Sequence, residues 1–348
     1  MEYGSIFETS SNRPLVRKDS GFLPSDWRLY RSGRDAMKAL ARAAGCRRVL
    51  LPALCCESML VPFAQSGYEL VFYRLREDLR GDEADVLDKL RDGDLLLYLP
   101  YFGIRPFSDA FLEDLRAGGK NLLLVEDRTQ DLIAPRPAGG FQPDAMVASL
   151  RKWAALPEGG VLKTTLTPGP ERTDSAFGDR CLAAQEEKDR YLKDWDPGRK
   201  QAFLAQFHGA EALLDAEGAP VAMSASYRET AESLDFVAIH AARRRNLLYL
   251  KARLEPLSQA GRLRFLSDSP ADSDLYLPIL LEERDRVQHA MAEKKIYCPV
   301  IWPEPAEAAG VCPVSHAVTE HMLALPVDQR YGEKEMDLFA DSLEQILK

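Results

Sequence analysis

Two charged residues, Asp127 and Lys152, are the strongest chemical signal in the sequence. Asp127 closes the run 122–126, in which four apolar residues precede Glu126, and Lys152 lies 25 residues further on in a short polar turn. The apolar run predicts a buried strand that delivers the acid at its carboxyl end. A lysine amine forms a Schiff base with an aldehyde, and a carboxylate keeps a pyridine nitrogen protonated. The pair therefore predicts catalysis with pyridoxal 5'-phosphate.

The residues around Lys152 favour a reactive lysine over a solvated one. The apolar stretch 153–156 follows it directly, which is a poor setting for a lysine that faces water. Burial lowers the pKa of a lysine, and the neutral amine that results is the form that exchanges imines. Taken singly, an acid at a strand end is usually a helix cap and a lysine is usually a surface residue, so the two together are more informative than either alone.

A cofactor phosphate needs a binding site of its own, and Ser32-Gly33-Arg34-Asp35 is a candidate for it. This segment opens a predicted helix, whose free amide groups and positive dipole end suit a dianion, and its glycine permits close approach. Ser149 can add a hydroxyl, and Arg34 or Arg151 a counter-charge. Without the other residues, the same segment is equally well an ordinary capped helix.

Strand and helix patterns alternate along the first half of the chain. The predicted strands are 48–52, 69–73, 95–99 and 121–125, and the predicted helices are 35–44, 57–66, 84–91 and 111–117. This alternation is typical of an α/β fold with a mostly parallel central sheet and helices on both faces. Ligands of such folds bind outside the carboxyl ends of the strands, which is where Asp127 is expected.

The second half has a different organisation. A charged segment with helical periodicity, about 173–222, reads as an insertion that alters the substrate entrance, and a long helix is predicted at 237–257. Strands 275–281 and 297–300 flank helix 283–294, and 333–347 is the last helix. We therefore predict a large cofactor-binding domain at 20–235 and a small α+β domain at 236–348. Arg243, Arg244 and Arg245 are expected on a solvated or interface face of the long helix, with contact between a subset of them and an anionic substrate as the alternative.

Composition excludes several classes of function. The chain has 348 residues and a net charge of −9, with its basic residues scattered, so no nucleic-acid footprint is visible. Six cysteines without CxxC spacing fit a reducing compartment, and the five histidines lack metal-ligand spacing, so we expect a cytoplasmic protein without a metal site. No apolar run approaches the roughly 20 residues that span a bilayer, so no membrane partner is expected.

Six motifs occur in an order that resembles a known family. They are Ser32-Gly33-Arg34-Asp35, Tyr101-Phe102-Gly103, Glu126-Asp127-Arg128-Thr129-Gln130, Ser149-Leu150-Arg151-Lys152, Glu158-Gly159-Gly160 and Ser224-Ala225-Ser226-Tyr227-Arg228. Together they resemble the DegT family of sugar aminotransferases, which are pyridoxal phosphate enzymes of the aspartate aminotransferase fold, fold type I. The ordered set is more specific than any one of its members.

The resemblance implies a role for each matching residue. Lys152 is implied to bind the cofactor aldehyde, Asp127 to pair with the ring nitrogen, and Gln130 to lie near the ring hydroxyl. Gly33 and Arg34 take the place of the phosphate cradle. Ser226 falls where the neighbouring subunit usually offers an asparagine, which implies a homodimer with a shared active site. The plain alternative for Gln130 and for Ser226 is an ordinary polar residue.

Some positions depart from the family pattern. Cys56 stands near the place of an aromatic ring that stacks on the cofactor, so stacking is expected from Tyr101 or Phe102, or is absent. Ser149 lies three residues before the lysine, whereas the phosphate serine of the family usually lies five before it. Phosphate binding is therefore the least secure part of the resemblance.

The function implied is transamination. An amino group would pass from a donor such as glutamate to a carbonyl acceptor, by resemblance a nucleotide-linked ketosugar or a related biosynthetic intermediate. Three alternatives stay open: pyridoxal phosphate chemistry such as elimination, a non-catalytic binding protein on the same fold, and a dinucleotide-binding α/β protein. Family dehydratases replace the lysine with histidine, so Lys152 favours transamination over elimination of water. No GxGxxG motif follows a predicted strand, which weakens the dinucleotide-binding alternative.

Overall fold

A computed structural model describes residues 2–17, 22–133, 139–215, 218–266 and 274–348 of the chain. Its helices are α1 Gly33–Ala44, α2 Glu57–Ala64, α3 Glu83–Lys89, α4 Asp109–Ala117, α5 Ala176–Asp194, α6 Pro197–Ala212, α7 Ala225–Ser233, α8 Phe236–Gln259, α9 Arg284–Glu293, α10 Pro313–His321 and α11 Glu333–Ile346. Its strands are β1 Tyr3–Gly4, β2 Arg28–Tyr30, β3 Arg48–Pro52, β4 Glu69–Tyr73, β5 Leu95–Tyr98, β6 Leu123–Asp127, β7 Ala145–Ser149, β8 Gly160–Thr164, β9 Arg264–Phe265, β10 Tyr276–Leu280, β11 Ile296–Tyr297 and β12 Met322–Pro326.

Seven of the strands in the described ranges form the main sheet, in the order β2-β8-β7-β6-β5-β3-β4. Strands β4, β3, β5, β6 and β7 pair in parallel, and β8 is antiparallel to both β7 and β2. Strand β8 therefore runs against the other six. The carboxyl ends of β2, β3, β5, β6 and β7 meet at one edge of the sheet, as expected for an α/β fold.

The main sheet is buried because its strands are almost wholly apolar. Strand β5 reads Leu-Leu-Leu-Tyr, and all four of its residues are buried, as a parallel strand covered on both faces requires. The pattern of α1 shows why it packs on this sheet: Ser32 caps its first turn, and its apolar face includes Met37 and Leu40. Gly45 ends the helix in the left-handed conformation, at φ 67°.

A second core lies in the last third of the chain. Strand β10 pairs with β12 and β9 in a small antiparallel sheet, and α8, α9 and α11 pack with it around Leu277, Leu323 and Phe339. Helix α8 belongs to both parts, since Phe236 at its start packs near the main sheet, whereas Leu250 packs in the second core. The predicted boundary between residues 235 and 236 stays a prediction. None of the described helices is long and apolar enough to cross a membrane.

Candidate active site

Asp127 and Lys152 reach the same edge of the main sheet from neighbouring strands. Asp127 is the last residue of β6 and pairs in register with Val147 of β7, and Lys152 follows the end of β7 after a single helical turn. Hydrogen bonds join the two segments: Thr129 N–H donates to Asp127 Oδ1 at 2.8 Å, and Trp153 Nε1 donates to the Thr129 carbonyl at 3.0 Å. The pairing of β6 with β7 thus brings Asp127 and Lys152, which are 25 residues apart in the sequence, to the same edge of the sheet.

The Asp127 carboxyl is buried without a cation beside it. Its residue is 5 % exposed, and no described lysine, arginine or histidine forms an ion pair with it. Burial raises its pKa from 3.8 to about 6, against the opposing effect of the hydrogen bonds from Thr129. A buried carboxyl that lacks a positive partner suits a ligand that carries a protonated ring nitrogen.

Lys152 is accessible to solvent through a large cavity that it lines. Protein surrounds the amine closely enough that desolvation lowers its pKa, and the charge of Arg151 lowers it further, while Glu211 and Cys56 oppose the change. A larger neutral fraction makes the amine a better nucleophile towards an aldehyde. Accessibility and a lowered pKa are both properties that Schiff-base chemistry requires.

Cys56 is a predicted site residue whose thiol pKa is affected by the charges of both Asp127 and Lys152. It caps α2 after β3, and burial and the charge of Asp127 raise the pKa of its thiol, whereas Lys152 lowers it. Tyr101 and Phe102 are each 1 % exposed in the main core, and the Tyr101 hydroxyl donates to the Leu54 carbonyl. The structure thus places the Cys56 thiol within electrostatic range of both Asp127 and Lys152, and it packs the rings of Tyr101 and Phe102 in the core.

Gln130 positions a loop rather than pointing towards solvent. It is 2 % exposed, and its Oε1 accepts a hydrogen bond of 2.8 Å from Phe102 N–H. Phe102 has φ 50°, a left-handed conformation that a bulky residue adopts only when its surroundings hold it there. Gln130 therefore stabilises the turn after β5, and a contact with the cofactor hydroxyl stays a prediction.

Gly33 and Ser149 lie together at the start of α1. A Cβ atom placed on Gly33 would lie 3.6 Å from Ser149 Cβ, an ordinary contact. The Ser32 hydroxyl is committed to the helix cap, since it accepts from Asp35 N–H at 3.1 Å and donates to Asp35 Oδ2 at 2.7 Å. Gly33 and Ser149 therefore lie side by side at the start of α1, where a helix amino terminus favours an anion, and phosphate binding there stays a prediction.

Gly160 permits the closest backbone approach at this edge. A Cβ atom there would lie 1.9 Å from the Ser32 carbonyl oxygen, so Gly160→Ala must push β8 away from the start of α1. We expect the substitution to lower the free energy of unfolding by about 3 kcal/mol or more. Gly33→Ala is the matched control, since its new methyl group meets only an ordinary contact. Urea unfolding of both variants checks this, and equal stabilities would contradict it.

Glu211, near the end of α6, binds two arginines beside the site. Its carboxylate accepts from Arg151 Nη2 at 2.9 Å and from Arg34 Nη2 at 3.3 Å. Burial alone would raise the pKa of Glu211, but the positive charges of Arg151, Lys152 and Arg34 outweigh it, and the pKa is lowered. Arg34 also pairs with Asp215 at 2.9 Å. A phosphate contact by Arg34 stays a prediction, and it requires this guanidinium to be shared with two carboxylates.

The cavity beside Lys152 has a volume of about 850 Å³. One wall is the helical hairpin of α5 and α6, which contributes Gln185, Leu204, Phe207, His208 and Glu211. The opposite wall comes from α9, β10 and β11, and residues 4–7 lie across one side. The segment predicted as an insertion at 173–222 therefore builds a wall of the chamber that contains the reactive lysine.

The amino-terminal segment is held on the chamber by buried cations. Lys188 of α5 is fully buried and donates to the Gly4 carbonyl at 3.4 Å and to the Ile6 carbonyl. Arg330 donates to the Ile6 carbonyl at 3.1 Å and to Glu8 Oε2 at 3.0 Å. These contacts join the hairpin, the amino-terminal segment and the second core around the cavity.

Arg243 was expected on a solvated or interface face, and this expectation is wrong for that residue. It is 1 % exposed and lines the cavity. Its guanidinium donates to the Trp153 carbonyl at 3.2 Å, to the Leu275 carbonyl at 3.1 Å and to Gln329 Oε1 at 2.7 Å. The cation satisfies backbone carbonyls of the lysine turn and of β10, so it ties these two segments together.

Ser226 lies away from the residues described above. It is exposed in the first turn of α7. The neighbouring Ser224 N–H donates to Glu158 Oε2 at 2.7 Å, which holds this turn against the Glu158-Gly159-Gly160 segment. An exposed serine is available to a second subunit, and that role stays a prediction.

Comparisons with known proteins give structural matches only. Neither a scan against protein-family models nor a search of curated proteins found a match. Among solved structures, DesI in the presence of its TDP-sugar product has a TM-score of 0.66 and 19% identity, over 99% of this chain and 86% of that chain. NtdA from Bacillus subtilis with bound cofactor PMP has a TM-score of 0.64 and 13% identity, over 92% and 73%.

A third match carries the family name. A DegT DnrJ EryC1 StrS aminotransferase from Brucella abortus has a TM-score of 0.60 and 16% identity, over 92% of this chain and 85% of that chain. Identities this low establish a shared fold. The chain has the α/β fold of these aminotransferases, and the predicted fold class is confirmed.

Proposed function

We propose that the protein is a pyridoxal phosphate-dependent aminotransferase that moves an amino group from a donor such as glutamate to a carbonyl acceptor. The observation that carries this proposal is an accessible lysine of lowered pKa at the same sheet edge as a buried carboxyl that has no cation partner among the described residues. Both groups lie at the carboxyl edge of an α/β sheet, the place where such folds bind ligands. The aminotransferase fold and the PMP bound to NtdA support the same cofactor.

The residues present fit the cofactor. Bound pyridoxal phosphate supplies an aldehyde and an electron-withdrawing ring. Asp127 would hold the proton of the ring nitrogen, because an ion pair relieves the desolvation that raises the pKa of this carboxyl. Gly33 and Ser149 would bind the phosphate at the start of α1. Cys56, within electrostatic range of both Asp127 and Lys152, would contact the ring.

Lys152 has two tasks in this proposal. Its amine would hold the aldehyde of the cofactor, and the same amine would act as the base that moves a proton to and from the substrate carbon. The lowered pKa increases the neutral fraction of the amine, which is the form that acts as a base. Arg243 holds the carbonyl of the adjacent Trp153, which fixes the turn that carries the lysine.

The chamber suits a substrate larger than an amino acid. Its volume of about 850 Å³ and the rings of Phe207 and Tyr297 leave room for a sugar with an aromatic substituent. DesI was solved with a TDP-sugar product, and the acceptor we propose is a nucleotide-linked ketosugar or a related biosynthetic intermediate. We further propose a cytoplasmic homodimer whose active sites are shared through Ser226.

Titration of the purified protein with glutamate tests the proposed function. After addition of pyridoxal phosphate, we expect a visible band of the lysine-bound cofactor, which L-glutamate converts to the near-ultraviolet band of the pyridoxamine form. One equivalent of 2-oxoglutarate per site should appear without any acceptor, because the first half-reaction is complete by itself. D-glutamate is the control. A protein that binds the cofactor and leaves both L-glutamate and its spectrum unchanged would contradict transamination from this donor.

A further inference from the structure

Gln185 is a buried polar side chain of the chamber that has no partner. It lies on the inner face of α5, is 8 % exposed and lines the cavity. Its Oε1 is buried and accepts no hydrogen bond, and its amide forms none with any residue in the described part of the chain. A buried amide without a partner costs stability, so it is retained for a reason other than packing.

A second unpartnered group lies beside it. Arg151 Nε is also buried without an acceptor, although Nη2 of the same guanidinium binds Glu211. Arg151 Nη2 lies 3.5 Å from Cys181 Sγ, and Cys181 is one helical turn before Gln185 on α5. Arg151 thus reaches the face of α5 that carries Gln185, and the unsatisfied donor and the unsatisfied acceptor both belong to residues that line the chamber.

Two other cations of the chamber, Arg330 and Arg243, already have partners. Arg330 binds Asp328 at 2.8 Å and Glu8 at 3.0 Å, and Arg243 binds carbonyls and Gln329. An anionic group placed here would have to compete with these contacts. A hydroxyl group, by contrast, can accept from Arg151 Nε and donate to Gln185 Oε1, or accept from both nitrogens if the glutamine amide is turned.

We propose that Gln185 and Arg151 recognise a hydroxyl group of the substrate, close to the carbon that receives the amino group. The inference rests on the proposed function only for the reaction that the substrate undergoes. The hydroxyl site itself consists of Gln185 on the α5–α6 hairpin and Arg151 in the turn that carries Lys152. Gln185 is thus a specificity-determining residue supplied by the α5–α6 hairpin. The ligand class is a polyhydroxylated ring, recognised through an uncharged group.

Two amines that differ by one hydroxyl provide the test: trans-2-aminocyclohexanol and cyclohexylamine. Their affinities for the protein loaded with cofactor are measured from the absorbance change of the bound cofactor. We expect wild-type protein to prefer the hydroxylated amine by about tenfold, and Gln185→Leu to lose that preference while its affinity for cyclohexylamine is unchanged. Gln201→Leu, on the exposed face of α6, is the control and should behave as wild type. Equal preferences in wild type and Gln185→Leu, or no preference in wild type, would overturn the proposal.

A second measurement uses the protein without cofactor. We expect 1,5-anhydroglucitol, a ring polyol with neither amine nor carbonyl, to raise the melting temperature of wild type but not of Gln185→Leu. Gln185→Leu alone should melt at or above the wild-type temperature, because it removes an unsatisfied amide. A lower melting temperature with an unaltered response to the polyol would mean a structural role only. A wild type that binds the polyol yet forms no visible band with pyridoxal phosphate would refute the proposed function and leave the hydroxyl site standing.

Discussion

Lys152→Ala is expected to abolish the visible band of the bound cofactor and to lower the rate of amino transfer by about 10⁴-fold or more. The variant lacks both the amine that binds the aldehyde and the base that moves the proton, and proton transfer by a positioned side chain alone contributes up to about 10⁴-fold. The measurements are an absorbance spectrum with pyridoxal phosphate and the rate of 2-oxoglutarate formation.

Lys163→Ala is the matched control for this prediction. Lys163 lies on β8 of the same sheet, but its side chain is 50 % exposed and its nearest acid is Asp26 at 3.6 Å. The control should keep both the spectrum and the rate. Lys152→Ala should also unfold at the same temperature as wild type within a few degrees, because burial already disfavours its charge. An unchanged visible spectrum in Lys152→Ala would refute the assignment of the reactive lysine.

Asp127→Asn is expected to separate stability from activity. Folding raises the pKa of this carboxyl from 3.8 to about 6, mainly by burial. The folded protein therefore holds the proton more tightly than the unfolded chain, so ionisation costs stability. The cost is absent below about pH 4, grows as the pH rises towards 6, and is complete above that value. Its full size is roughly 3 kcal/mol.

The asparagine carries no charge, so it removes this cost while keeping an oxygen for the Thr129 N–H. Without cofactor, Asp127→Asn should be more stable than wild type by about 1–3 kcal/mol at pH 8 and equal to it at pH 4. Its rate of amino transfer should fall by about 10³-fold, because a neutral amide does not keep the ring nitrogen protonated. Asp26→Asn, at an exposed position, is the control. A variant that is less stable than wild type at pH 8, with full activity, would contradict both the pKa and the role.

The sequence was most informative where chemistry and local pattern coincide. The predicted strands 48–52 and 69–73 agree with β3 and β4, whereas the predicted strand 121–125 is shifted by two residues in β6, which ends on Asp127. The apolar run dictates a buried parallel strand, and the position after such a strand is the ligand edge in any fold of this class. The position of Asp127 and Lys152 at one edge of the sheet was therefore predictable without coordinates, and their catalytic roles stay predictions.

The chamber walls were not identifiable in the same way. Glu211 joins Arg34 across 177 residues of sequence, and such long-range pairing leaves no local pattern. Gln185 lies in a charged helix whose residues look solvated, and Arg243 lies in a run of three arginines. In each case tertiary packing decides which side chain is buried, and a single sequence does not record it.

The α5–α6 hairpin and the pair Asp127 and Lys152 belong to different structural elements of this molecule. One contiguous stretch, residues 176–212, forms a wall of the chamber, whereas Asp127 ends one strand of the main sheet and Lys152 lies in the turn after another. Glu211 is the member of this stretch that must be kept, because it binds Arg151 and affects the pKa of Lys152. The other lining residues of the two helices can be exchanged to reshape the chamber while Asp127 and Lys152 stay in place.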